Sequence, residues 1–230
     1  MGRVKQTSKT ETISCHIVDF ERLPPDPVVI DAGACVGAFT YELKRKLGGR
    51  GKFYCIECDK RNYATLTENH VNGVAVNYSA LVGDDKEKVS CYAYDGMDRR
   101  EWSNIFDLYS VHQSIRNVRV LDDNVPTITI EKIMKEYNLN RIDYLKMDVE
   151  GTEFDVLMNM PKEILTSIPQ ISFEYHKLSF RELGEGAKRN KDEYRELDDN
   201  FYKLKSHLED NGFKVGLFVN NEVYCVRSSN

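Results

Sequence analysis

The feature that most constrains the fold is a repeated alternation between short β-branched segments and segments with helical spacing. Strand-like runs stand at 28–31, 52–57 and 74–79, and helix-like runs follow the first two, one of them at 39–47. The alternation resumes with a strand at 142–147, a helix at 152–160 and a strand at 171–175. This rhythm predicts an α/β fold with a parallel sheet and helices on both of its faces.

The end of the chain has a different pattern. Strand-like runs at 213–219 and 222–227 are joined by Asn220 and Asn221. Asparagine tolerates the positive φ that a two-residue type I′ turn requires, so these runs predict an antiparallel hairpin. The amphipathic run of Phe201, Leu204 and Leu208 predicts the helix that precedes it.

Between these regular parts we expect a single domain over 1–230 with three irregular segments. They are an N-terminal segment at 1–25, a polar insertion at 82–140 that shapes an acceptor pocket, and a charged loop at 177–200. The insertion contains one alternating strand at 89–94 and a helix at 130–137. The charged loop is either a solvated surface segment or a mobile lid over the site.

Charge and cysteine usage exclude several classes of protein. The 230 residues carry 32 basic and 37 acidic side chains, a net charge of −5, which argues against a nucleic-acid partner. No apolar run approaches the ~20 residues of a membrane helix, and the polar N-terminus lacks the apolar stretch of a secretory signal. Six cysteines lie mostly inside apolar runs, as expected for reduced thiols in the cytoplasm.

Chemically useful residues gather where the expected parallel strands end. A glycine loop at 31–39 follows the first strand, Glu57 ends the second, and Ser79 and Ala80 follow the third. The fourth strand runs into 146–151 and the fifth into 174–176. In an open α/β sheet, ligands bind outside the carboxyl ends of the strands, so these residues predict one common site.

The glycine loop discriminates between cofactors. A dinucleotide fingerprint would align on Gly33, Cys35 and Ala38, yet its second glycine lets the backbone approach a pyrophosphate, and Cys35 places a side chain there. S-adenosylmethionine has no phosphate, and Glu57 suits its ribose hydroxyls, so we favour this cofactor over a nicotinamide dinucleotide. The expected cofactor-binding residues are Asp31, Gly33, Ala34, Cys35, Gly37, Glu57, Cys58, Ser79, Ala80 and Asp148.

Three longer segments carry a resemblance to a known family. They are VVIDAGACVGAFT at 28–40, FYCIECDKRNYATLTENH at 53–70 and, most discriminating, IDYLKMDVEGTEFDVL at 142–157. Residues 125–133 and 171–176 agree more loosely. The chain resembles the FkbM-type family of S-adenosylmethionine-dependent methyltransferases. The resemblance implies a Rossmann-like class I fold, with a mostly parallel seven-stranded sheet that ends in the antiparallel hairpin.

The resemblance also implies O-methylation, commonly of a sugar or natural-product hydroxyl. An alcohol holds its proton at neutral pH, so the enzyme must align it with the methyl group and remove the proton. We expect Asp148 to be the base or the orienting carboxylate, and His176 is the second choice. Lys146 is expected on the same strand face as Asp148, where its ammonium either lowers the pKa of that acid or stabilises the forming alkoxide. Glu174 completes the expected catalytic set.

Other interpretations of these residues stay open. Glu150 and Glu153 are expected to cap a helix rather than to catalyse, and His176 is alternatively a packing residue. His112 and Trp102 are candidates for the acceptor pocket. Separately, Asp148, Glu174 and His176 are candidate ligands for a divalent metal ion.

The expected function is methyl transfer to a hydroxyl of a sugar or glycan. The alternatives are a non-sugar acceptor (a natural product, a lipid or an RNA ribose) and a Rossmann-like binding domain without catalysis. The sequence leaves the oligomeric state open.

Overall fold

The computed structural model describes residues 10–69, 72–84, 88–94, 118–176, 199–218 and 221–228. Its strands are β1 (Thr10–Ile13), β2 (His16–Asp19), β3 (Val28–Ala32), β4 (Lys52–Glu57), β5 (Val74–Tyr78), β6 (Ala80–Leu81), β7 (Lys88–Tyr94), β8 (Val118–Ile128), β9 (Tyr144–Met147), β10 (Gln170–Glu174), β11 (Phe213–Leu217) and β12 (Glu222–Arg227). Its helices are α1 (Ala38–Lys46), α2 (Lys60–Glu68), α3 (Ile130–Glu136), α4 (Glu153–Asn159), α5 (Lys162–Leu165) and α6 (Asp199–Asp210). A short 3₁₀ turn at Phe20–Arg22 follows β2.

Seven strands form the main sheet, in the order β11-β12-β10-β9-β3-β4-β5. Strands β5, β4, β3, β9 and β10 run parallel to one another, and β12 is antiparallel to both β10 and β11. The predicted mostly parallel seven-stranded sheet with a terminal antiparallel hairpin is therefore confirmed. The topology is Rossmann-like, as expected.

Helices cover both faces of this sheet because its strands are apolar on both sides. On one face, Val29 and Tyr144 are buried with Phe39 and Leu43 of α1. On the other face, the next residues of the same strands are buried against α3, α4 and α6; this cluster includes Ile30, Leu145, Ile133, Leu157 and Leu204. The alternation follows the period of two along a strand.

The segment at 1–25 contains a hairpin that the sequence pattern did not predict. Strands β1 and β2 pair in antiparallel register, with Ile13 opposite His16. Ile13 and Val18 are fully buried and pack in the same cluster as Phe39 and Tyr144. The hairpin therefore lies on the face of the sheet that α1 covers.

The insertion at 82–140 is more regular than expected. Besides the predicted strand and helix it contains the 11-residue strand β8, which pairs with β6 and β7 in a three-stranded sheet. The expectation of an otherwise irregular segment was wrong. Asp122, Asp123 and Asn124 interrupt the apolar alternation of β8, and the β7–β8 pairing contains register shifts near Cys91.

Some expectations fall on residues outside the described ranges. Trp102, His112 and most of the charged loop, 177–198, are among them. Within the described ranges, none of the helices has both the length and the apolar character that a membrane crossing requires.

Candidate active site

A cleft opens at the carboxyl ends of the central strands. From β3 the chain proceeds to β4 and β5 on one side, and β9 and β10 later add on the other side. The order of strands thus reverses between β3 and β9, the position at which open α/β sheets bind ligands. The cleft has a volume of about 100 Å³ and is partly open to solvent. It is lined by Gly33, Cys35, Ile56, Glu57, Cys58, Asn62, Ser79, Ala80, Leu81, Asp148, Val149, Glu150 and Thr152.

Gly33 is the point where the loops after β3 and β9 meet. Its φ is +69°, and a Cβ added there would lie 1.7 Å from the backbone oxygen of Asp148. The amide of Asp148 in turn donates to the carbonyl of Ala32 at 3.0 Å. Glycine is required because both the left-handed backbone and the close approach exclude a side chain.

The side chain of Lys146 fixes the backbone of the glycine loop. Its buried ammonium donates to the carbonyls of Gly33 and Ala32, at 2.7 and 3.2 Å, and lies 3.1 Å from Oδ1 of Asp31. Burial lowers the pKa of Lys146, but Asp31 and Asp148 outweigh it and raise that pKa above its usual value. Because these contacts engage the ammonium, the geometry disfavours the expected role beside a forming alkoxide.

Three residues expected at the cofactor do not line the cleft. Asp31 is fully buried, and its Oδ2 accepts from the hydroxyl of Thr40 at 2.7 Å. Ala34 is buried against Cys55 and Leu66, and Gly37 forms the N-cap of α1 with a φ of +91°. Asp31, Ala34 and Gly37 thus stabilise the loop, and a direct contact of these residues with the cofactor stays a prediction.

Glu57 lines the cleft and also binds the backbone on either side of it. Its Oε2 accepts from the amide of Cys35 at 2.7 Å, and its Oε1 accepts from the amide of Asp59 at 2.7 Å. Burial raises the pKa of Glu57 to about 7, although both amide bonds oppose that shift. Each carboxylate oxygen keeps a free acceptor position, so Glu57 can hold the glycine loop and still accept from ligand hydroxyls.

The remaining expected cofactor residues line the same end of the cleft. Ser79 and Ala80 follow β5, and Cys35 follows Gly33 with a φ of +51°. The Sγ of Cys58 lies 3.8 Å from the Sγ of Cys91, and this contact and burial raise the pKa of Cys58 well above its usual range. Nearby, the ring of Tyr63 in α2 packs on Tyr78 with ring centroids 5.3 Å apart.

A second group of side chains surrounds His176 on the other side of Asp148. The imidazole Nε2 lies 3.4 Å from Glu150, 3.9 Å from Asp148 and 3.9 Å from Glu174, and Nδ1 lies 2.8 Å from Oε1 of Glu153. We call these five residues the acceptor cluster. Burial lowers the pKa of His176, but Glu153, Glu150 and Asp148 reverse this effect and hold that pKa well above its usual value.

Glu153 does more than the helix capping that its position predicts. Its carboxylate accepts from the amides of Val149 and Gly151, at 3.1 and 3.0 Å, and it fixes the ring of His176. Glu150 has a φ of +53° and its side chain faces His176, so the capping expected of Glu150 was wrong. Burial raises the pKa of Glu150 to about 7. Sequence reasoning missed both contacts with His176, since these depend on how the loop after β9 lies beside the end of β10.

Three members of the acceptor cluster also fit the expected metal ligands. One donor atom from each of Asp148, Glu174 and His176 lies within 4.8 Å of the others. A histidine whose second nitrogen is held by a carboxylate, as Glu153 holds His176, has the arrangement common among metal-binding histidines.

The sequence compares well with one family. The profile of the Methyltransferase FkbM domain matches residues 31–215. Methyltransferase 1 of Beauveria bassiana is 27% identical over 167 residues, which span 63% of this chain and 63% of that protein. The 2-O-methyltransferase NoeI of Sinorhizobium fredii is 28% identical over 171 residues, 70% of this chain and 67% of that protein.

Solved structures show only a distant likeness. An FkbM methyltransferase from Methylobacillus flagellatus aligns at 15% identity with a TM-score of 0.49, covering 88% of this chain and 44% of that one. The chain thus spans less than half of that structure and less than two thirds of the Beauveria relative. The assignment therefore rests on the sequence profile, which covers most of the chain and includes the loops after β3, β4, β9 and β10. The chain belongs to the FkbM family of S-adenosylmethionine-dependent methyltransferases.

Proposed function

We propose that this protein transfers the methyl group of S-adenosylmethionine to a hydroxyl of a sugar or glycan. The observation that carries the proposal is the position of Asp148, which lines the cleft and also lies 3.9 Å from the imidazole of His176. One carboxylate therefore borders both the methyl donor and a group that can take a proton. The name of the NoeI relative, a 2-O-methyltransferase, supports oxygen as the methylated atom.

In this proposal the donor occupies the cleft between Gly33 and Ser79. Glu57 accepts from the ribose hydroxyls, since a carboxylate pairs well with two adjacent hydroxyl donors. Gly33 allows the methionine part to lie against the backbone, and Lys146 fixes the loop carbonyls from behind. The residues expected at the cofactor thus divide into those that face the ligand and those that support the loop.

The acceptor hydroxyl would lie between Asp148 and His176. Asp148 orients the hydroxyl toward the methyl carbon, and Nε2 of the deprotonated imidazole accepts the proton as the carbon–oxygen bond forms. Because the pKa of His176 is held well above its usual value, this base form increases with pH, and the rate of transfer should rise with pH above neutrality. Glu153 holds Nδ1–H and stabilises the resulting imidazolium, as a carboxylate does behind a catalytic histidine. Glu150 and Glu174 complete a negative wall that favours the positive charge left on His176.

A divalent cation is the second component that we propose to test. The donor set of Asp148, Glu174 and His176 fits such an ion, which when bound would fix two adjacent sugar hydroxyls. Exhaustive chelation separates the two roles of His176. Full activity after chelation would leave the imidazole as the base, whereas loss that one divalent ion restores would assign it to the metal.

The alternatives differ in their acceptor or in catalysis. Non-sugar hydroxyls of natural products or lipids would fit the same acceptor cluster, whereas an RNA ribose is disfavoured by the net charge of −5. A binding domain without catalysis would bind the donor and transfer nothing. All six cysteines are free thiols, which supports a reducing compartment such as the cytoplasm.

Two measurements test the proposal. Calorimetric titration with S-adenosylhomocysteine should give micromolar affinity, and NAD and NADP should not bind. Incubation with labelled S-adenosylmethionine and a panel of mono- and oligosaccharides, natural-product alcohols and short RNAs should label a sugar. Binding of a nicotinamide cofactor, or label confined to another class, would contradict it.

A further inference from the structure

The N-terminal hairpin is an element beyond the family core. Residues 10–19 precede the matched range of 31–215, and they nevertheless lie against the main sheet beside the acceptor cluster. Both β1 and β2 contribute buried apolar residues to the core, so the hairpin has a fixed position.

Side chains of the sheet bind the backbone of β2 along its length. The amide of Ile17 donates to the hydroxyl of Ser172 at 3.1 Å, and the carbonyl of Ile17 accepts from the hydroxyl of Tyr144 at 2.9 Å. The side-chain amide of Gln170 accepts from the amide of Asp19 at 3.0 Å and donates to its carbonyl at 3.1 Å. These buried bonds fix where the turn of the hairpin lies.

The turn lies at the carboxyl end of β10. His16, the first residue after the turn, has its Nδ1 3.1 Å from Glu222, and Glu222 is paired in register with Glu174 of the acceptor cluster. Cys15 itself lies within the electrostatic field of the cluster: burial raises its pKa, and Glu174, Glu222 and Asp148 raise it further.

The turn is held in an unfavourable conformation. Ser14 and Cys15 have φ angles of +44° and +74°, although neither is the glycine or asparagine that such a turn favours. Both side chains are exposed, so packing in the core does not explain why serine and cysteine occupy this turn. Strained backbone of this kind persists where the surroundings impose it, and it clusters at functional sites.

We infer that Ser14 and Cys15 form a wall of the acceptor site, so that the hairpin turn determines which acceptor reaches Asp148 and His176. The inference rests on the proposed function, because it concerns the acceptor of that reaction. It makes the side chains at 14 and 15 specificity-determining residues and assigns them no part in the chemical step.

Alkylation of Cys15 in the folded protein tests the wall without a folding risk. The wild type and Cys15→Ser are treated with N-ethylmaleimide at about pH 8.5, since the thiolate is the reactive form. Saturating S-adenosylhomocysteine protects Cys35 and Cys58, which line the cleft. The reagent is removed, and affinity for S-adenosylhomocysteine and methyl transfer to the acceptor panel are measured.

We expect alkylated wild type to bind S-adenosylhomocysteine within twofold of untreated protein and to show at least a tenfold higher KM for the acceptor. Treatment should leave both values of Cys15→Ser equal to those of the untreated variant, and a methylated acceptor should slow alkylation of Cys15 in the wild type. An unchanged KM for the acceptor in fully alkylated wild type would contradict the proposed wall. An equal rise in KM on treatment of Cys15→Ser would contradict it as well.

The proposed function can fail separately. If the enzyme methylates another alcohol and no sugar, the sugar assignment is wrong, and the same comparison on that alcohol decides the wall. If no compound of the panel is methylated and none slows alkylation of Cys15, both the proposed function and the proposed wall are rejected.

Discussion

Gly33 lies at the closest approach between the loops that form the two halves of the site. Gly33→Ala should abolish binding of S-adenosylhomocysteine and lower the thermal midpoint, because the new Cβ would overlap the Asp148 oxygen. Gly48→Ala is the matched control: its φ is also positive, +65°, but its added Cβ meets nothing within 4 Å. The left-handed backbone costs both variants about 1–2 kcal/mol, and the overlap should cost Gly33→Ala about 1–3 kcal/mol more. Equal stability of the two variants would contradict the close approach.

Glu57 should make cofactor binding depend on pH near neutrality. Its pKa of about 7 means that acidification protonates the carboxylate, which then accepts less strongly from ribose hydroxyls. Affinity for S-adenosylhomocysteine should fall below pH 7, by up to about tenfold per pH unit. Glu57→Gln should bind more weakly and lose this dependence, as titration calorimetry between about pH 6 and 8 would show. If binding by Glu57→Gln kept the same pH dependence, the titrating group would be a residue other than Glu57.

Without a ligand, the raised pKa of Glu57 makes folding stability fall as the pH rises, whereas cofactor affinity should rise. The folded state holds the Glu57 proton up to about pH 7, whereas the unfolded chain releases it near its ordinary value of 4.5. Folding stability from this group is therefore fully present below 4.5 and is lost as the pH rises through 7. Glu150, with a similar pKa, acts in the same direction. Cofactor affinity and apo stability should thus move in opposite directions across neutral pH.

Asp148 separates binding from transfer. Asp148→Asn should reduce methyl transfer by about 100-fold or more, the scale of lost acid–base or orienting chemistry, while S-adenosylhomocysteine binding changes little. Asp155→Asn removes the same charge from α4, outside the cleft, and should leave the rate unchanged. Initial rates with one methylated acceptor decide the comparison. A wild-type rate in Asp148→Asn would rule out the assigned role.

Strand-end reasoning placed Glu57, Ser79 and Asp148 in the cleft without a structure, because parallel strands of a sheet end at a common edge. It did not reveal the contacts that Lys146 makes. The register pairs Lys146 of β9 with Asp31 of β3, and paired side chains on neighbouring strands face the same side of the sheet. Register depends on the whole fold, and spacing along one strand does not reveal it.

At the scale of elements, the hairpin should depend on its side-chain bonds. Gln170→Ala removes the partner of both the amide and the carbonyl of Asp19, which should cost about 1–3 kcal/mol. Amides of β2 should then exchange faster with solvent, while those of β3 and β4 keep their protection. Unchanged exchange at β2 would show that apolar packing alone holds the hairpin.

The elements that the sequence missed have identifiable causes. The turn at Ser14 and Cys15 contains neither glycine nor asparagine, so it gave no hairpin signal. Strand β8 contains Asp122, Asp123 and Asn124, residues that ordinarily favour turns. The strands and helices with regular apolar spacing were predicted within a few residues, since their pattern reflects burial in the main sheet.

At the scale of the whole molecule, the reversal of strand order between β3 and β9 brings two groups of loops together, and in the proposed function each group binds one ligand. The loops after β3, β4 and β5 are proposed to bind the methyl donor, and those after β9 and β10 carry the acceptor cluster. Gly33 and Asp148 are in close contact where these two groups of loops adjoin. The alternating sequence pattern predicted this arrangement, but the acceptor chemistry depends on contacts that only the assembled sheet creates.

The most direct measurement supplies S-adenosylmethionine with a ¹³C-labelled methyl group and the saccharide panel, and locates the label in the product by NMR. We expect a methyl ether on a sugar hydroxyl, and we expect Asp148→Asn to form this product at least about 100-fold more slowly. A methyl group on nitrogen or carbon, or donor binding without any methylated product, would contradict it.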